Sequence, residues 1–317
     1  MTATPVDSLG SIDSATLRQI ETDAVRFARA AGGLLRKRFR TALEVEYKSR
    51  GNRDPVSIAD KESEEFLTSA IHAAYPSHCV LGEEGNDLEG TDQDMLWVLD
   101  PLDGTVNFLN GLPFFAVSVG VLHRGAPVAA AIYVPASPLV EEGVFHTRVG
   151  SLSYLEDDPI TVTPNPRPEA SQLSSLPAMF WRQMAFQGEL RNGLGEVRAL
   201  GSIAVEAALT AAGSMQYAVF NGPKIWDVAA AVLLVKNAGG LTLTRSSSGQ
   251  PWLPLDRFEP HSPAKDVLDG FRRWSQTIVV ANPELAWSVA ESMRRPATMI
   301  RPIRAVLKLA RQLALLH

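Results

Sequence analysis

Glu83, Asp100, Asp103 and Asp227 each stand at the border of an apolar run. The richest stretch is Trp97-Val98-Leu99-Asp100-Pro101-Leu102-Asp103-Gly104-Thr105-Val106-Asn107-Phe108. Leu96 to Leu99 are apolar, and an acid after such a run sits where a buried strand delivers it to a surface. Pro101 removes a ladder donor. Asp103 follows at a spacing that lets it share an ion with Asp100. Gly104 permits a tight turn, and Thr105 adds a hydroxyl. Crowded carboxylates repel unless a cation or a proton offsets them. A divalent cation is the simplest answer. The plainer reading of this stretch alone is an Asp-rich turn with Asp103-Gly104 as its turn pair.

The other acids have plain readings too. Val80-Leu81 leads into Gly82-Glu83-Glu84-Gly85, a second possible ligand loop, or a solvated loop continued by Asp87, Glu89, Asp92 and Asp94. Asp227 opens the apolar helix Val228 to Val235, which stops at Gly239-Gly240, so it fits a helix cap, or a cap that also turns one oxygen to a metal. Asp60 is placed to cap a helix with Phe66, Ala70 and Ile71 on its apolar face. Gly201-Ser202 precedes a helix and offers backbone donors and a hydroxyl to a substrate oxygen or anion. Taken together, an all-oxygen set suits Mg2+. Two or more such ions bind a phosphate, acidify a water and stabilise a leaving oxygen. No His-rich zinc cage, Walker loop, dinucleotide fingerprint or Gly-x-Ser-x-Gly elbow is present in the sequence.

Elements to position these groups are legible. Ala24, Ala28, Ala31, Leu35 and Phe39 predict a helix from Ser14 to about Arg40, capped by Ser14 or Ser11. Glu44 to Lys48 reads as a short strand and Arg50 to Pro55 as a turn. Tyr75-Pro76 ends the helix after Asp60. Gly111 to Leu122, Val128 to Val134 and Glu142 to His146 read as strands with short turns, a substantial antiparallel component. Prolines interrupt Tyr154 to Arg198, where Phe180, Met184 and Leu190 read as core. Gly213 to Phe220 reads as a loop and short strand, Asn221-Gly222-Pro223 as a turn, and Thr277 to Ala281 as a late strand before a helix at Pro283. His123 and His146 read as ordinary turn or edge histidines.

The 317-residue chain is 45% hydrophobic, enough for one large domain or two packed halves. Its net charge of -5 argues against nucleic acid as a partner. The single cysteine, Cys79, excludes a disulfide framework and reads as a buried structural thiol. Met1 to Ile12 has no signal-peptide pattern, and no apolar run reaches membrane-spanning length, so a soluble cytoplasmic protein is expected.

Three ordered motifs carry a resemblance to the inositol monophosphatase family of lithium-sensitive, magnesium-dependent phosphatases. They are Gly82-Glu83-Glu84, the Trp97 to Phe108 stretch, and Trp226-Asp227-Val228-Ala229-Ala230 with Ala238-Gly239-Gly240 beyond it. The resemblance runs from about Ala24 to Ala290. It implies a layered α/β sandwich (α+β, with mixed and antiparallel sheets), often homodimeric. Residues 1–164 would carry most ligands, 165–292 the last ligand and substrate contacts, and 293–317 a basic tail. By the same resemblance, Glu83, Asp100 and the Leu102 carbonyl hold one Mg2+. Asp100, Asp103 and Asp227 hold a second, and a weaker third lies near Glu83. Thr105 orients the attacking water, with Asp60 accepting from its hydroxyl. Amides of Gly104 and Thr105 hold phosphate oxygens, and Gly201-Ser202 matches a substrate-contact segment.

Where inositol-hydrolysing members have a Glu seven residues before the last Asp, this chain has Phe220, with Lys224 nearer Asp227. Phe220 accepts no hydroxyl proton, which weakens discrimination for inositol. A small polyol or sugar phosphate is the expected substrate. Histidinol phosphate and a 3'(2'),5'-bisphosphate nucleotide are alternatives, although Ile225 departs from the nucleotidase pattern. A non-catalytic regulatory protein that binds phosphate or metal is the alternative outside enzymes.

From Met293 to His317 there is no Asp or Glu, while Arg294, Arg295, Arg301, Arg304, Lys308 and Arg311 accompany the apolar face of Ile303, Val306, Leu307 and Ala310. Docking on the domain or on a second copy ranks ahead of contact with an anionic membrane. Truncation after Arg295 is expected to change the light-scattering mass or the solubility more than the turnover. Unchanged mass and solubility would refute that role.

Overall fold

The computed structural model describes residues 12–41, 45–47, 55–136, 141–178, 180, 184–191, 193–247 and 249–294. Most of the turn expected at 50–55 and the basic tail past Arg294 lie outside them. Helix α1 (Ser14–Arg38) buries Ile20, Ala24, Phe27, Ala28, Ala31 and Leu35. Its cap is Asp13, whose carboxylate accepts from the amides of Ala15 and Thr16, rather than Ser14 or Ser11. A carboxylate there also meets the positive end of the helix dipole. A two-stranded ribbon of β1 (Val45–Tyr47) and β2 (Pro55–Ser57) leads into α2 (Ile58–Ala74).

Seven strands form the first sheet: β3 (His78–Gly82), β4 (Asp92–Asp103), β5 (Ala116–His123), β6 (Ala126–Val134), β7 (Gly143–Arg148), β8 (Tyr154–Leu155) and β9 (Asp158–Pro159), in that order. Only β3 and β4 pair in parallel among them. The two-residue period sorts the side chains. Trp97, Leu99, Val117, Val119, Val121, Ala129, Ala131 and Tyr133 face α1 and α2. Leu96, Val98, Leu122, Ala130 and Ile132 face the other way.

The second half repeats the logic. Short strands β10 (Leu173–Ser175), β11 (Ala185–Phe186) and β12 (Glu196–Arg198) precede helix α4 (Ile203–Ala211). Then come β13 (Met215–Lys224), α5 (Ile225–Asn237), β14 (Leu241–Arg245), β15 (Leu253–Pro254), α6 (Val267–Arg272), β16 (Ser275–Ala281), α7 (Pro283–Ser292) and β17 (Met293–Arg294). The second sheet has the order β12-β10-β13-β16-β14-β15 and is mixed, while β11 pairs with β17. Ala218, Phe220, Ile278 and Val280 face α4 and α5, whereas Tyr217, Val219, Val279 and Ala281 face α7. The described layers therefore run helix, sheet, helix, sheet, helix, the expected layered sandwich. Phe180, Met184 and Leu190 are core, as their spacing suggests.

Helix α5 is apolar all round because sheets cover both of its sides. The turn expected at Asn221 to Pro223 is instead the end of β13, where the register shifts between Asn221 and Lys224. Cys79 is buried on β3. No helix among the described residues is long and apolar enough to cross a membrane. A Cβ on Gly120 of β5 would lie 2.8 Å from both the Ala229 Cβ and the Ala230 nitrogen of α5. Gly120→Ala should therefore lower stability by about 1–3 kcal/mol, the usual cost of overpacking, as measured by urea denaturation. An unchanged midpoint would refute this close packing.

Candidate active site

The site grows from the end of β4. Spacing by three would put Asp100 and Asp103 on opposite faces of a regular strand. However, Asp100 pairs with Ser118 and Asp103 with Ala116, so β4 carries an extra residue there. The bulge falls at Pro101-Leu102, where proline cannot donate to the ladder. It brings Asp103 close enough for its charge to raise the Asp100 pKa. The Leu102 amide donates to Asp100 Oδ1 at 3.1 Å. Gly104 follows with φ +89°, and a Cβ there would lie 2.8 Å from the Phe114 carbonyl oxygen. It caps the short helix α3 (Thr105–Leu109). The Thr105 hydroxyl lies 3.0 Å from Asp60 Oδ1 and 3.1 Å from the Leu102 carbonyl.

Asp60 does not cap α2. Ser57 does, and Asp60 reaches back from the first turn to complete a capping box. Its Oδ2 accepts from the Ser57 amide at 2.8 Å and hydroxyl at 2.6 Å, which leaves Oδ1 to Thr105. Burial, with the Glu83 charge adding to it, raises the Asp60 pKa. One turn on, fully buried Glu64 accepts from the amides of Glu84 at 2.7 Å and Asn86 at 2.9 Å. It holds the Glu83 loop from inside, and a Cβ on Gly82 would lie 2.4 Å from the Glu64 carboxyl carbon.

The second half closes the rim. Ser202 caps α4, and its hydroxyl donates to Asp103 Oδ2 at 2.6 Å while the Ala204 amide donates to the same oxygen at 2.5 Å. Glu206 accepts from the amides of Leu200 and Gly201 and from the Ser175 hydroxyl. The expected open donors at Gly201-Ser202 are thus corrected: the Gly201 amide and the Ser202 hydroxyl are both engaged within the protein. Asn107 ties this loop to α3 by donating to the carbonyls of Phe114 at 2.7 Å and Leu200 at 2.6 Å. Asp227 likewise sits in the first turn of α5 rather than at its cap, and its Oδ2 accepts from the Lys224 amide at 2.7 Å. Its charge also reaches Asp100, where it adds to the raised pKa. Phe220, expected among the substrate contacts, is instead buried in the core against α4 and α5 at 3% exposure, while Lys224 is exposed at the start of α5. His146 is structural, bridging Glu21 at 2.7 Å and the Glu156 carbonyl at 2.9 Å.

Each of Asp60, Asp100, Asp103 and Asp227 thus spends an oxygen on a nearby donor. Burial first, then the charges of Glu83, Asp103 and Asp227, raises the Asp100 pKa well above the usual carboxylate range. Burial likewise raises Asp227, with the Asp103 charge next. Asp103 is pushed up to about 7 by burial, against the two hydrogen bonds that favour its charge. Among the described residues, no Arg or Lys ion-pairs with these three, and no three His, Cys, Asp or Glu side chains already enclose a metal-sized point. The donors are oxygen, desolvated and short of positive charge, which fits a hard divalent cation. Sequence reading passed over Glu64 and Glu206. Both had a signal: Glu64 stands four residues after Asp60 on the face of Leu67 and Ile71, and Glu206 is the lone acid in an apolar helix.

The layered fold gathers this acid rim in an α/β sandwich. A sequence model of the inositol monophosphatase family matches residues 16–277, and the chain belongs to that family. Nus factor SuhB of Escherichia coli K12 is 37% identical over 229 residues, covering 69% of this chain and 82% of that protein. An inositol-1-monophosphatase of Mesorhizobium japonicum is 34% identical over 228 residues, covering 68% and 82%. The crystal structure of the extragenic suppressor protein suhB of Bartonella henselae superposes with a TM-score of 0.68 at 26% identity, covering 86% of this chain and 98% of that one. Membership carries the superfamily's reaction class, phosphate-monoester hydrolysis.

The raised pKa values fix a sign. Between the ordinary 3.8 and about 7, folded Asp103 keeps a proton that the unfolded chain has lost. Rising pH through that window therefore removes stability. In EDTA, the melting temperature should fall from about pH 5 to about pH 8, and Asp103→Asn should flatten the slope. A flat or rising wild-type profile would refute the buried charge.

Proposed function

We propose that the chain is a Mg2+-dependent phosphomonoesterase that acts on a small polyol or sugar phosphate by direct in-line attack of water. The Thr105–Asp60 pair beside the desolvated acids carries this reading. Binding a phosphate needs no hydroxyl backed by a buried carboxylate, whereas orienting a water does. Thr105 donates to Asp60, so its oxygen is left to accept from a water. Burial makes Asp60 more basic and so favours its taking up a proton. Glu83, Asp100 and the Leu102 carbonyl would hold one ion, and Asp100, Asp103 and Asp227 a second, with room for a weaker third near Glu83. When bound, Mg2+ supplies positive charge to phosphate oxygens, acidifies a water and offsets the leaving oxygen. The amides of Gly104 and Thr105, at the start of α3, receive phosphate oxygens.

The Mesorhizobium relative, named an inositol-1-monophosphatase, supports an inositol-phosphate-like substrate. The name Nus factor on the Escherichia coli relative favours a second reading, a regulatory protein that keeps the fold. A homodimer is the proposed assembly, to be checked by light scattering.

Phosphate release should be measured on inositol, histidinol, fructose, glycerol and adenosine phosphates, with Mg2+ and with chelator. Release that requires Mg2+ is expected, strongest on a polyol phosphate. Asp103→Asn should lower kcat by about a hundredfold, the scale for losing one preorganised electrostatic group, while circular dichroism stays native. Undiminished turnover in that variant would overturn the mechanism. Silence across the whole panel would move the weight to the regulatory reading.

A further inference from the structure

Glu83 lies on a loop, and loops place ligands less firmly than strands or helices do. What holds this loop from outside comes from the far end of the chain. Arg272 closes helix α6, which is anchored by buried Phe271 and by Trp274 packed edge-on against Phe258. Its Nη2 donates to the Gly82 carbonyl at 2.7 Å and to both Asp87 oxygens at 2.7 and 2.9 Å. Its Nη1 donates to the Glu83 carbonyl at 3.3 Å. Asp87 in turn accepts from the Gly82 amide at 3.1 Å. The guanidinium also lies 5.4 Å from the ring centre of Trp226, the residue before Asp227. One planar group thus grips the backbone of the Glu83 loop on one side and rests on the first turn of α5 on the other.

We infer that Arg272 is a positioning residue that fixes Glu83 relative to Asp227 and thereby sets the Mg2+ concentration at which the site fills. The inference rests on the Mg2+ reading above. Two accounts of Arg272 differ in sign. As a bystander cation near an acidic rim, it would repel Mg2+, and its removal would tighten binding. As the clamp on Glu83, its removal weakens binding, because partners that orient ligands commonly set affinity by tenfold or more. Lysine keeps the charge but lacks the fork that serves two carbonyls and a carboxylate together.

The test titrates Mg2+ alone into the full chain and follows the rise in melting temperature from its value in EDTA. The Mg2+ half-point should rise by about tenfold in Arg272→Gln and by a smaller factor in Arg272→Lys. Arg273→Gln serves as a control. Arg273 pairs with Asp269 at 2.9 Å, and its variant should keep the wild-type half-point. Asp87→Asn, which keeps the guanidinium but loosens its seat, should move in the same direction as Arg272→Gln and stands in if that variant does not fold. A lower or unchanged half-point in folded Arg272→Gln and Asp87→Asn overturns the inference. An equal shift in Arg273→Gln overturns it too. A wild-type chain with no Mg2+-induced shift overturns the metal reading itself, and that result is visible before any variant is made.

Discussion

Negative charge withdrawn from water is the constraint on which this structure turns. Asp100 is 1% exposed and faces Asp103, Asp227 and Glu83. Desolvation alone would drive such groups to take protons or to move apart. The raised pKa values of Asp100, Asp103 and Asp227 record the first response, and the second is blocked because each acid is tethered by its own element: a bulge for Asp100, the cap of α4 for Asp103, the first turns of helices for Asp60 and Asp227. Those tethers work only if the elements themselves cannot yield. The layers around them supply that stiffness, with α5 buried between two sheets and β5 in backbone-close contact with it.

The tethers share one economy. In α2 and α5 the same carboxylate that closes a capping interaction also offers itself to the site. A carboxylate has two oxygens and can serve both ends, as the sequence already allowed for Asp227. Asp103 does likewise, taking a hydroxyl and an amide on one oxygen.

What was legible in the sequence was local. The apolar stripe of α1, the turn-bounded apolar runs of β5 and β6, and the three acid motifs all act through residue periods or short spacings. The strand at Met215 to Lys224 was cut short because Asn221-Gly222-Pro223 has turn chemistry, yet pairing with β16 carries the strand through it. Ser202 looked open because its acceptor, Asp103, lies 99 residues away. Arg272 gave no signal at all, because its meaning depends on carbonyls about 190 residues back in the chain. Glu64 was legible in principle.

The bond from Ser202 to Asp103 has a temporal consequence. It joins the two halves of the chain across the seam where the acids meet, and Asn107 does the same a few residues on. Contacts so remote in sequence form late, after the local elements and each sheet have organised. A chain with both sheets complete but undocked would hold nearly all its secondary structure and no site. Any property that needs the assembled acids therefore depends on that docking.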